Sequence, residues 1–119
     1  MANTFTNAGV AIQNTGAPIT LYQVPIGQDS AVVHSIYLSN IDGTNSVNVD
    51  IEVSTDGAGS GSFFYVGKTI PVPADSTLVL DKPINLRNAN AASAGDLIRC
   101  TASADGDLNG FCSVLEITQ

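Results

Sequence analysis

Between Ser46 and Ser54 the chain reads SVNVDIEVS, with Val47, Val49, Ile51 and Val53 alternating with Asn48, Asp50, Glu52 and Ser54. Successive side chains of a strand point to opposite faces, so this stretch predicts a strand with one buried and one wet face. A helix turns about 100° per residue and would scatter the four apolar side chains around its circumference. The polar face is expected in solvent, away from any subunit contact.

The same period recurs along the chain. Ala31–Asn40, AVVHSIYLSN, is rich in β-branched and aromatic residues. A regular alternation places Val32, His34, Ile36 and Leu38 on one face and Val33, Ser35, Tyr37 and Ser39 on the other. Both faces carry apolar groups, so this strand is expected to be covered on both sides. Asp42-Gly43 between it and Ser46–Ser54 predicts a hairpin joining the two. Further strands are expected at Ile19–Val24, Ser62–Ile70, Ser76–Asp81, Ile84–Leu86, Asp96–Ser103 and Gly110–Thr118, the last two forming a closing hairpin. Thr4–Gln13 reads as an extended arm anchored by Phe5, Val10 and Ile12, either an edge strand or a segment lying on a neighbouring subunit. Turn residues separate these segments at Asn14–Pro18, Pro25–Asp29, Asp56–Gly61 and Pro71–Asp75. Asn88–Gly95 has room for one helical turn. Eight or nine short strands, spaced by about 8–12 residues, predict an antiparallel β-sandwich of jelly-roll type. The expected organisation is an N-terminal arm over residues 1–14 and one sandwich domain over 15–119.

Composition narrows the role of this domain. Charged residues make up 13% of the 119 positions, about half the usual quarter. The polar face is Ser, Thr, Asn and Gly instead, which suits a surface partly covered by other subunits. Four basic residues against eleven acidic ones give a net charge of −7. That balance argues against tracking a phosphate backbone and against anionic membrane surfaces. No apolar run approaches the roughly 20 residues that span a bilayer as a helix. The opening MANTFTNAG lacks the basic and apolar regions of a signal peptide, so the expected setting is the cytoplasm where the chain is made, or a particle assembled there.

Candidate chemistry is sparse. Asp105-Gly106-Asp107-Leu108-Asn109-Gly110, followed by five residues and then Glu116, satisfies the spacing of a calcium loop. Such a loop needs flanking helices, and the flanks read as strands. A strand over 110–118 carries Glu116 roughly 20 Å from Gly110 at about 3.3 Å per residue. A plain polar loop is therefore expected at Asp105, Asp107 and Asn109, with no metal and no cofactor. Cys100 and Cys112 stand equidistant from Gly106. A closing hairpin would put them opposite each other, either as a cross-strand disulfide or as two buried thiols. His34, the only histidine, has no nucleophile partner in a motif context. No catalytic residue is expected and no enzyme activity. Phe63, Phe64 and Tyr65 are consecutive, so at least one points away from the core. With Phe5, Val10 and Ile12 they form the expected subunit interface.

"TLYQVPIGQDSAVVHSIYLSNIDGTNSVNVDIEV", "VPADSTLVL" and "GDLIRCTASADGDLNGFCSVLEI" together resemble small virion structural proteins of tailed bacteriophages, often of cyanobacterial and marine phages. The resemblance covers nearly all of residues 4–118 and rests on strand and turn patterns. It implies a β-sandwich subunit of a virion: a capsid cement or decoration protein, or else a tail, neck or fibre-attachment component. The expected partners are the major capsid protein and the chain itself, as a homotrimer burying the aromatic patch. A receptor- or carbohydrate-binding module is the reading from a different class, with Tyr22 and Tyr37 as its candidate platform.

Overall fold

Alternating apolar residues along nine strands build two antiparallel sheets, seen in a computed structural model that describes residues 2–12 and 17–118. The strands are β1 (Ala2–Ile12), β2 (Ile19–Gln23), β3 (Ser30–Asn40), β4 (Val47–Ser54), β5 (Phe63–Val72), β6 (Thr77–Leu80), β7 (Ile84–Arg87), β8 (Leu97–Ala102) and β9 (Leu108–Thr118). The turn expected at Asn14–Pro18 falls largely outside the described residues. One sheet runs β1-β9-β3-β6, with β7 also on β3; the other runs β2-β8-β4-β5. β6 and β7 occupy one strand position in two pieces, broken by Lys82-Pro83. The order is that of a jelly roll, two four-stranded sheets wound as two Greek keys. The fold is all-β, with no helix among the described residues, including Asn88–Gly95.

The inner faces meet in one core. Ile12, Leu38, Val49, Ile51, Ile98 and Leu108 are fully buried, one or more from each of five strands. All four apolar residues of the 47–53 alternation are in it. In β3 the alternation breaks, because a register shift lies between Val33 and Ser35. The extra residue turns Val33, Ile36 and Leu38 inward together and leaves Val32 and His34 outside.

Two expected hairpins are not hairpins. β3 does not pair with β4, and β8 does not pair with β9; each pair lies in opposite sheets. β3 has both edges occupied, by β9 on one side and by β6 and β7 on the other, so no place is left for β4. The Asp42-Gly43 segment instead carries the chain across the sandwich. Asn40 organises that corner: its Nδ2 donates to the carbonyls of Asn45 and Val72, and its Oδ1 accepts the Asp42 N–H, all at 2.9 Å. The hairpin that does form is β4–β5, through the glycine-rich loop that begins at Asp56-Gly57. There the Asp56 carboxylate accepts N–H groups from Ala58 and Gly59 at 2.9 Å, and these bonds, Ala58 foremost, hold it below the usual carboxylate range.

Asp96 locks the same end of the sandwich from inside. Its Oδ1 accepts Ser54 Oγ–H at 2.9 Å and Gly57 N–H at 2.7 Å, and its Oδ2 faces Arg87 N–H at 3.4 Å. Ser54, expected on the wet face of its strand, is buried for this reason. Gly57 sits at φ +74°, and a Cβ there would meet Ala89 at 2.8 Å, so glycine is required on both counts.

Candidate protein interface

The two outer faces of the sandwich differ in chemistry. On the β1-β9-β3-β6 sheet, strand register aligns Gly9, Phe111, Tyr37 and Val79 in one row across four strands. Phe111, Tyr37 and Val79 are 42%, 38% and 48% exposed. The Tyr37 and Phe111 rings are 6.3 Å apart and tilted by 45°, within the range of favourable aromatic pairs. A second row aligns Phe5, Leu115 and Val32. Phe5 is 80% exposed and lies 6.4 Å from the His34 ring. Among the described residues, no Asp, Glu or Lys stands on the outward positions of β1, β9, β3 or β6. Arg87, at the end of β7, turns its guanidinium to the Thr55 carbonyl. The rest of the face is uncharged and aromatic-bearing, the kind of surface that partners cover.

The opposite face is charged and internally paired. Arg99 donates from Nε and Nη2 to the Glu52 carboxylate at 3.3 Å each, and its guanidinium lies 3.5 Å over the Phe63 ring. Lys68 Nζ stands 3.9 Å from Asp50 and 4.7 Å from the centre of the Tyr65 ring. Asp50 also accepts the Thr69 N–H at 2.7 Å. Asp50 and Glu52 are thus half-buried in ion pairs on their own sheet.

Of the six residues expected at a subunit contact, Phe5, Phe64 and Tyr65 are exposed, Phe63 is half-covered by Arg99, and Val10 packs against the core. Ile12 is fully buried inside its own chain. Phe5 belongs to one sheet and Phe63–Tyr65 to the far edge of the other, so the structure does not bring them together. Between β5 and the β6–β7 break lies an apolar groove of about 250 Å³, lined by Val66, Val79, Leu80 and Ile84. Phe111, Tyr37 and Val79 were not among the expected contacts. The signal available for Tyr37 was the doubly apolar pattern of residues 31–40; Phe111 and Val79 join it through strand pairing alone.

The remaining candidates are dispersed. Tyr22 is buried and donates its hydroxyl to Glu116 at 2.7 Å; burial first, and the carboxylate second, push its ionisation up. Tyr22 and Tyr37 lie in different sheets and form no platform. Glu116 stands near the end of β9 on Tyr22, whereas Asp105 and Asp107 lie before that strand and Asn109 at its start. Among the described residues, no three His, Cys, Asp or Glu side chains converge on a metal position. Cys100 and Cys112 are free, buried thiols facing the core from opposite sheets. Burial pushes Cys100 up to about 12, with a smaller contribution from Cys112, and pushes Cys112 up to about 11.

No family model and no curated protein matches the chain. Solved structures do match it. A chain of the T13 particle of infectious bursal disease virus superposes with a TM-score of 0.56 at 8% identity, covering 98% of this chain and 31% of that one. The present chain therefore spans about a third of that viral protein. A subunit of Bacillus endospore appendages, described as disulfide-linked pili, superposes at 0.53 with 18% identity, covering 98% of this chain and 88% of that one. A chain of the virus-like particle of the extra small virus of the prawn Macrobrachium rosenbergii gives 0.50 at 8% identity, covering 99% and 80%. What these proteins share with the chain is the fold.

Proposed function

We propose that this chain is a non-enzymatic structural subunit of a virion, a cement or decoration protein that stabilises a phage head through protein–protein contacts. The observation that carries the reading is the outer face of the β1-β9-β3-β6 sheet, with Phe5, Phe111, Tyr37 and Val79 exposed and no acid or lysine among them. The fold likeness to proteins of two virus particles supports it, as does the phage-type sequence pattern. The partner is an apolar patch on the capsid shell, built from the major capsid protein. A three-fold self-contact, as expected from the sequence, would use Phe64 and Tyr65, which project from β5 at the other edge of the molecule.

The test is co-sedimentation of the purified chain with capsid shells that lack it. The chain is expected to pellet with shells, and Phe111→Glu is expected to abolish this while leaving the far-ultraviolet spectrum unchanged. Full binding by Phe111→Glu together with Tyr37→Glu would overturn the placement of the contact. No binding by the parent chain would overturn the head assignment.

A second reading has its own observation. The pilus subunit is matched over 88% of its length, whereas the infectious bursal disease virus chain is matched over 31%. A fibre or tail component, in which copies of the chain stack, accounts for that. Electron microscopy of the concentrated chain separates the readings, since a stacking subunit forms filaments without shells.

A further inference from the structure

The chain has four sheet edges, and three of them are blunted. β2 has five residues and a register shift against β8. β5 carries two register shifts, Pro71, and Thr69 at φ +53°. β6 and β7 are four residues each, separated by Asp81-Lys82-Pro83. Proline, charge, bulges and shortness are the devices by which proteins keep an edge from pairing with another chain. β1 has none of them. Its eleven residues, ANTFTNAGVAI, contain no charge and no proline, and its ladder with β9 runs through eleven pairs without a shift. Among the described residues, no strand neighbours its outer side.

We propose that β1 pairs with β1 of a second copy of this chain, antiparallel about a two-fold axis normal to the sheet. The occupant follows from the edges themselves. An uninterrupted strand is needed to fill an uninterrupted edge, and among the described strands of this chain only β1 offers one. Charge points the same way. Each copy carries −7, so two copies approach only where acids are absent. The acids lie in loops, on the charged outer face of β4, or on the inward side of β9, and none lies on β1.

Side chains specify the register. Centring the pair on Asn7, the middle of β1, aligns all eleven residues of both strands. It places Asn7 against Asn7 of the second copy at the axis, Thr4 against Val10, and Phe5 against Gly9. An aromatic side chain directly across from a strand glycine covers the gap the glycine leaves. Gly9 already faces Phe111 on its other side. The row Gly9–Phe111–Tyr37–Val79 then continues through Phe5 into the second copy. The two uncharged faces become one surface, because a two-fold normal to the sheet keeps both on the same side.

Sedimentation of the full chain tests this, comparing the parent with Asn7→Lys, Phe5→Ala and Val66→Lys. The parent is expected to have the mass of an even number of chains. Asn7→Lys puts two like charges face to face at the axis and is expected to halve that mass. Phe5→Ala is expected to weaken association about tenfold, and Val66→Lys, exposed on β5 at the edge of the other sheet, to leave the mass unchanged. If Asn7→Lys does not fold, amide exchange of the parent decides. Alternate amides of residues 2–12 are expected to slow as the concentration rises. A mass of one or three chains, a mass unmoved by Asn7→Lys, a mass halved by Val66→Lys, or β1 exchange independent of concentration would each overturn the proposal. Shell binding by a chain that stays single would leave the virion role standing and the pairing refuted.

Discussion

Asp96 closes one end of the sandwich, because a single buried carboxylate gathers N–H and O–H groups from β4, the β4–β5 loop and β7. A hydrogen bond to a charged group contributes about 1.5–3 kcal/mol, and a buried donor left unpaired costs a further 1–3. Asp96→Ala is therefore expected to destabilise the fold by about 3 kcal/mol or more in urea titrations. Thr69 is the converse case. A β-branched residue at φ +53° is strained by about 1–2 kcal/mol. Thr69→Gly keeps the N–H that Asp50 accepts and relieves the strain, so its urea midpoint is expected to rise. The two core thiols make stability depend on pH in alkali. Their folded values of about 12 and 11 exceed the ordinary value of 9.0. A raised folded value gives stability that is fully present below about pH 9 and is lost as pH climbs towards 11–12, because only the unfolded chain sheds those protons there. Cys100→Ala with Cys112→Ala is expected to reduce that alkaline slope in urea titrations across pH 8–11. The buried thiols were legible as one of two readings, though not their placement in opposite sheets; Asp96 and Thr69 were not. Asp96 and Thr69 act through loops and bulges, whose geometry comes from contacts distant in sequence.

At the scale of elements, alternation and strand pairing separate cleanly. Residues 47–53 were readable as a strand because burial on one face imposes period 2 whatever the neighbour. Which neighbour it takes was not readable. Asp42-Gly43 and Asp56-Gly57 carry the same dipeptide, yet only the second lies in a hairpin loop. The difference lies in β3, which is already paired along both edges. Pattern could not show the outward set of β3 either, since the shift after Val33 exchanges the faces midway. Deleting His34 would remove the extra residue and leave Val33, Ile36 and Leu38 all inward on a regular alternation, with Val33 and Ser35 keeping their partners on β9. That deletion is expected to leave the chain folded, whereas deleting Tyr37 carries Leu38 to the outer face and is expected to unfold it. His34→Ala, which removes only an exposed ring, is expected to cost less than about 0.5 kcal/mol by thermal melting.

The whole molecule, about 47 × 26 × 20 Å, presents one charged face, one uncharged face and one open edge. Low charge content and acid-rich loops were visible in composition. Their segregation onto different faces was not, because it follows from the jelly-roll order that brings β1, β9, β3 and β6 side by side. An uncharged face on a rigid β-platform accounts for a subunit that works by contact. The contact being to a virus shell is the claim on which the account turns. Quantitative protein analysis of phage particles purified from a culture that expresses the chain tests it most directly. The chain is expected in those particles at a stoichiometry commensurate with the major capsid protein, released together by shell disassembly. Particles from such a culture that contain none of the chain would contradict the virion role.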